Sequence, residues 1–332
     1  MRGFGWFLAV ATAWQSLGAF HPPTENQALF TPQAEEQFFV GTPGKSWTSG
    51  QFGCVRSEER QFHEGIDIRC LHRDGRGEPT DAVRASADGV VAYVNLHSSW
   101  SNYGNYVVLR HQMEGLEVYT LYAHLSSVRP GLTAGTPVRA GEGMATMGRT
   151  SNTRQRITPD RAHVHFEIDF QVSGKYEEWH RKHRPGTRND HGEFNGLNLL
   201  GIDPAIVLKS GQRLGPGFSL VRHLAAQPEM MRVLIRDPKL PWARKLAGMV
   251  QANPLAEKGG IAGYELHLSF NGAPLRIIPR SPAETPGSAR LAILSVNETE
   301  WRTHPCTRLV AKRGQMWTAL PALQDLLGLA TY

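Results

Sequence analysis

The stretch RAHVHFEIDF, residues 161–170, sets two histidines two positions apart in an apolar, strand-like run. In a strand, side chains at i and i+2 point to the same face. His163 and His165 therefore share a face, either packed into a sheet or as half of a metal site. The chain around them favours strands too. From residue 51 to about 170, β-branched and aromatic segments alternate with glycine-rich turns, as in an antiparallel sheet or sandwich. VRASADGVVAYVNL reads as a hairpin around Asp88-Gly89. YGNYVVLRH and LEVYTLYAHL read as two strands joined by QMEG, and GTPVRAGEGMATMG as short strands punctuated by glycine.

The 332 residues are 40% hydrophobic and 20% charged, which allows one large or two medium domains with a packed core and excludes global disorder. A net charge of +6 suits an anionic partner. No run of Lys and Arg is long enough for a nucleic-acid arm, and no helix-turn-helix or zinc-finger spacing occurs, so nucleic acid is not an expected partner.

Arg2, an apolar run over residues 4–14 and small residues at Ser16, Gly18 and Ala19 read as a signal peptide, residues 1–19. The run falls short of the roughly 20 apolar residues that span a bilayer. The expected destination is periplasmic or extracellular, with no stable membrane span after cleavage. Residues 20–50 read as an extended lead-in. KYEEWHRKHRPGTRNDHGEFNG, within 175–196, reads as a basic surface insertion, and IDPAIVLKSG closes the segment near residue 211. Residues 215–332 read as a smaller C-terminal domain, mixed α/β or β, with no assigned role. In it, PEMMRVLIRDPKLPWARKLAGMVQAN reads as helical pieces broken by Pro238 and Pro241. YELHLSFNGAPLRIIP reads as a hairpin turning at Asn271-Gly272, ARLAILSV as a strand and LPALQDLLGLA as a terminal helix.

Fourteen histidines are present, and the informative ones come with partners. His63 and Asp67 form H-x-x-x-D in RQFHEGIDIRC, and His124 lies in TLYAHLSS. A hydrolytic zinc site needs about three N or O ligands and an open position for water. His63, Asp67 and one histidine of the pair supply such a set. The other pair member and His124 would then face the bound water, whose pKa zinc lowers to roughly 7. One histidine would move a proton and another would hydrogen-bond the developing oxyanion. HEGID is not the H-E-x-x-H helix signature. His111 ends a strand-like run and reads as structural or supporting. His180 and His183, in HRKH, read as part of a solvated basic loop.

In order, FHEGIDI, DGVVAYV, YGNYVVLRH, YTLYAHLS, GTPVRAGEGMATMG and HVHFE resemble the lysostaphin/LytM-type zinc metallopeptidases, metallopeptidase family 23, over roughly residues 50–210. The resemblance implies a mainly β catalytic domain at 51–211, an antiparallel sheet of the duplicated-hybrid-motif type. It implies one Zn2+ per chain held by His63, Asp67 and His165, with His124 and His163 as the catalytic histidines. It implies hydrolysis of the peptide stems or cross-bridges of bacterial peptidoglycan. Some members have lost these residues and activate other wall hydrolases, so the alternative is a non-catalytic wall-binding or amidase-activator protein of the same fold. Two departures stand out. GRTSNTRQRITPDRAHVHFE is longer and more basic than the short glycine turn usual before the pair, and would line the cleft. Cys54 and Cys70 bracket the first two ligands, and a disulfide between them would brace the metal loop and leave Cys306 free.

Overall fold

The computed structural model describes residues 20–154 and 156–332, so the expected signal peptide at 1–19 lies outside the described residues. Among these residues no helix is long and apolar enough to cross a membrane.

A seven-stranded sheet carries the centre of the molecule. Across it run Leu199–Ile202, His163–Gln171, Leu116–Ala123, Tyr106–Met113, Gly89–Asn95 and Pro137–Val138, each antiparallel to its neighbours. Ile66–Arg69 pairs with the first half of His163–Gln171, on the edge whose second half is taken by Leu199–Ile202. The histidine strand is buried along its whole length. Its Val164, Phe166, Ile168 and Phe170 enter the apolar core. His163, His165, Glu167, Asp169 and Gln171 alternate with them and so share the other face. The fold is mainly β and antiparallel, as the alternation of short strands and turns suggests.

Tyr106–Met113 and Leu116–Ala123 form the expected hairpin, turning at Glu114 and Gly115. The hairpin expected at Asp88-Gly89 does not form. Ala82–Arg84 pairs instead with Gly143–Thr146 in a separate sheet, while Gly89–Asn95 joins the central one. Gly89 is needed for close approach: a Cβ there would sit 2.6 Å from the Arg110 carbonyl oxygen and 2.6 Å from His111 Nδ1.

Residues 20–50 are not simply extended. Short helices at Ala28–Phe30 and Glu35–Phe38 bury Leu29 and Phe38. Beyond them, the Val40 amide donates to the Asp67 carbonyl at 2.9 Å, so this segment backs the strand that carries Asp67. Part of the expected basic insertion is a helix, Tyr176–His183, that buries Tyr176 and Trp179.

Toward the C-terminus, Pro274–Arg280, Gly263–Leu268, Met231–Ile235 and Leu291–Val296 form a four-stranded antiparallel sheet in that order. The segment read as helical pieces thus contributes a strand. Met231, Val233, Leu234 and Ile235 are all buried, and a short apolar run buried on both faces cannot be told from a helix by periodicity. The expected hairpin around Asn271-Gly272, the strand Leu291–Val296 and the helix Pro321–Ala330 are present. These elements grip the central hairpin turn: Glu114 Oε1 accepts from the Leu220 amide at 2.9 Å, and the Gly248 amide donates to the Gly115 carbonyl at 3.2 Å.

The disulfide expected between Cys54 and Cys70 is replaced by one between Cys54 and Cys306, whose Cα atoms are 5.5 Å apart. Cys70 is a free, buried thiol, and its burial pushes the pKa up to about 11. Sequence proximity misleads here because the two cysteines sit in different ladders. Cys54 pairs opposite Phe62 in a two-stranded ribbon, while Cys70 follows Ile66–Arg69 onto the central sheet.

Candidate metal centre

Strand register assembles the centre. His165 lies directly opposite Asp67 in one ladder and opposite Ala123 in the other, which brings His124 to the same end. His63 arrives at the end of Gln61–His63. Gly65 lets the connecting loop lie against the histidine strand, since a Cβ there would be 2.3 Å from the Phe166 carbonyl oxygen.

Three side-chain atoms converge. His63 Nε2 is 3.0 Å from His165 Nδ1 and 3.3 Å from Asp67 Oδ1, and His165 Nδ1 is 2.9 Å from Asp67 Oδ1. All three residues are buried. Their outer partners fix which atom faces inward. His63 Nδ1 donates to the Gln51 carbonyl at 2.7 Å, leaving the Nε2 lone pair inward. His165 Nε2 donates to Glu167 Oε1 at 2.6 Å, leaving Nδ1 inward. Asp67 Oδ2 accepts from Arg56 at 2.6 Å, leaving Oδ1 inward. Three donor atoms this close suit a cation among them, in place of the Arg56 contact to His63 Nε2 at 2.8 Å and of a proton on His165. Tetrahedral zinc with bonds of about 2.0–2.1 Å places its ligand atoms about 3.3 Å apart, so the residues fit the ion.

A proton on His165 competes with the ion for Nδ1. Burial favours the neutral forms of His165 and Asp67. Hydrogen bonds to Asp67 and Glu167 overcome this at His165 and raise its pKa to about 9. The fields of His63, His163 and Arg56 overcome it at Asp67 and hold its carboxyl well below the usual range. Burial lowers His63 to about 4.

His124 and His163 flank the set. Their ring centroids are 4.8 Å apart, and His163 Nε2 is 3.6 Å from Asp67 Oδ1. His124 Nδ1 donates to the Thr150 carbonyl at 2.8 Å, and His163 Nδ1 to the Arg161 carbonyl at 2.6 Å. Each Nε2 therefore carries a lone pair. Burial, reinforced by the neighbouring histidines, holds His124 well below the ordinary histidine range, and burial lowers His163. His124 also has a positive φ of 62°, rare for a side chain of its size, and its amide donates to the Tyr103 carbonyl at 2.8 Å.

Residues 61–176 match the model of peptidase family M23. This segment belongs to that family. It holds all five converging residues. Solved structures similar to the chain include a mutant catalytic domain of the prophage-encoded M23 protein EnpA from Enterococcus faecalis, at 21% identity over 40% of this chain and 79% of that one, TM-score 0.28. Another is a putative glycyl-glycine endopeptidase LytM from Ruminococcus gnavus, at 23% over 46% and 47%, TM-score 0.30. A third is the catalytic domain of lysostaphin from Staphylococcus simulans, at 18% over 52% and 90%, TM-score 0.30. No curated protein matches the chain.

Sequence reading missed Arg56, Glu167 and Tyr103. Arg56 lies seven residues before His63 and reaches its Nε2 at 2.8 Å as well as Asp67. Glu167 continues the i, i+2 face of His163 and His165, which was a readable signal. It also accepts from the Tyr103 hydroxyl at 2.7 Å. His111 is structural, as expected: it is buried, with Nδ1 2.8 Å from the Asp88 carbonyl and Nε2 2.8 Å from Thr120 Oγ1. His180 is not in a solvated loop. It is buried in the helix, with Nε2 3.0 Å from Thr187 Oγ1.

Proposed function

We propose that the chain is a zinc-dependent endopeptidase that cuts peptide stems or cross-bridges of bacterial peptidoglycan. The convergence of His63 Nε2, Asp67 Oδ1 and His165 Nδ1, with His124 and His163 beside them in an M23 segment, carries this reading. His63, Asp67 and His165 hold one Zn2+. Bound there, the ion polarises a carbonyl and lowers the pKa of water toward 7.

The chain's own groups do the rest. His124 and His163 are neutral at pH 7 with inward lone pairs, so either can accept a proton at Nε2. The one that has taken the proton then donates it to the leaving amine, and the other orients the reacting groups. Glu167 holds the His165 ring by its Nε2–H, and Arg56 holds the outer oxygen of Asp67. Residues 51–211 form the catalytic unit in this reading. Residues 215–332 brace it through the 114–115 turn and the Cys54–Cys306 link. Export to the periplasm or beyond is part of this reading, supported by the apolar run and small residues within residues 1–19.

The test pairs metal content with turnover. The mature chain, purified without chelator, is assayed for zinc and then given purified peptidoglycan with and without chelator. About one zinc per chain with chelator-sensitive release of peptide fragments supports the reading. Zinc without cleavage moves it to the non-catalytic activator.

A further inference from the structure

Behind ligand His165, the histidine strand carries a pair of carboxyl groups that the metal itself does not use. Glu167 and Asp169 follow His165 at alternate positions, so they share its face, and both are buried. Directly across the ladder stand Leu121 and Tyr119, which belong to a small apolar cluster with Tyr106 and Leu199.

Among the described residues, three oxygens of this pair have no other partner. Glu167 Oε1 accepts from the His165 ring at 2.6 Å and from the Tyr103 hydroxyl at 2.7 Å, while Oε2 is buried and unbonded. Both oxygens of Asp169 are buried and unbonded as well. The hydroxyls of the apolar cluster are committed elsewhere: Tyr119 donates to Glu117 at 2.8 Å and Tyr106 to the Phe194 carbonyl at 3.1 Å. The charges that act on Asp169 are those of Glu167 and Glu64, both negative.

Buried polar atoms are nearly always satisfied, and two adjacent carboxyl groups in such a place do not both ionise. The two groups lie within hydrogen-bonding reach of each other. A single proton between them leaves only one neutral carbonyl oxygen without a bond. Glu167 is the member that stays ionised, because its Oε1 already takes two donors. Burial and the charge of Glu167 hold the Asp169 carboxyl well above the usual range. Burial also opposes the charge on Glu167, but bonds from His165, Tyr103 and Asp169 overcome it and lower its pKa.

We propose that Asp169 is a positioning residue, a neutral acid that donates to Glu167 Oε2 and so holds Glu167 against the ring of His165. Asp169 lies four residues beyond the ligand and acts on the ion only through Glu167 and His165. Asparagine, an uncharged donor of nearly the same shape, replaces it, whereas alanine does not. The role rests on the zinc-binding part of the peptidase reading.

Infrared spectroscopy and zinc competition test it without turnover. The full-length chain at pH 7 shows the carbonyl band of a protonated carboxyl group that is missing from Asp169→Asn. In competition with a chromogenic chelator, Asp169→Ala weakens zinc binding about tenfold, the lower end for an outer partner, and Asp169→Asn leaves it unchanged. In a Glu167→Ala background, Asp169→Ala has no further effect, since its only route to the ion is gone. Melting temperatures are recorded for every variant. Where Asp169→Ala fails to fold, the band and the Asp169→Asn affinity decide. Absence of the band, zinc binding in Asp169→Asn as weak as that expected of Asp169→Ala, full affinity in Asp169→Ala, or an additive loss in the double variant overturns the proposal. Fragment release from peptidoglycan by the unmutated chain separates the two claims. Zinc binding with the band but no turnover removes the peptidase reading and leaves the positioning role, and turnover without the band does the reverse.

Discussion

His165 and Asp67 face each other across an antiparallel ladder, and their Nδ1 and Oδ1 atoms stand 2.9 Å apart. Direct cross-strand partners project to the same face of a sheet, so the register itself aims both residues at one point. His165→Ala therefore abolishes stoichiometric zinc binding. His124→Ala keeps the metal and loses turnover by about 10²–10⁴-fold, the usual worth of a positioned acid or base. Metal analysis and fragment release from peptidoglycan check both variants. Full activity of His124→Ala would sink the assignment of that residue.

Glu167 fixes the tautomer of His165 from behind, at 2.6 Å. Removing such an outer partner weakens metal affinity about 10–100-fold. Glu167→Ala shows that loss in competition with a chromogenic chelator, and Glu167→Gln, which still offers an acceptor, loses less. An unchanged zinc affinity in Glu167→Ala would mean that the carboxylate does not orient the ligand.

The disulfide joins residues 252 positions apart and ties the ribbon that ends in His63 to the C-terminal region. Cys306→Ser costs about 2–5 kcal/mol of stability, whereas Cys70→Ser leaves the cross-link intact. Non-reducing peptide mapping recovers Cys54 joined to Cys306. Recovery of Cys54 joined to Cys70 would contradict the fold described above.

His111 is buried and neutral, its pKa lowered by burial from the ordinary 6.5 to about 4. Its unfolded form binds a proton first as pH falls, so its contribution to stability is undiminished above pH 6.5. The contribution then falls at up to about 1.4 kcal/mol per pH unit and levels off below about 4. His111→Gln is less stable at pH 7, having lost the bond to Thr120, but declines less steeply between pH 6.5 and 4.5. Urea unfolding at several pH values gives both slopes, and equal slopes would remove His111 from the acid response.

The centre was more legible than the scaffold around it. His63, Asp67, His124, His163 and His165 carry their chemistry in their identity, and the i, i+2 spacing of the pair holds in any strand. Glu167 shares that face and could have been read with them. Arg56 could not, because its approach to His63 depends on how the ribbon Gly53–Arg56 folds over. Met231–Ile235 was misread because three consecutive buried residues, Val233, Leu234 and Ile235, erase the alternation that marks a strand.

The sequence by itself determined the strand-rich character of residues 51–210, the face shared by the histidine pair and the residue types that suit a zinc ion. These follow from local rules of side-chain direction and donor chemistry. Tertiary structure alone decided which histidine nitrogen faces inward and which cysteine closes on Cys54. Each of these depends on contacts between segments far apart in the chain, whose approach is set by strand register and core packing and not by neighbouring residues.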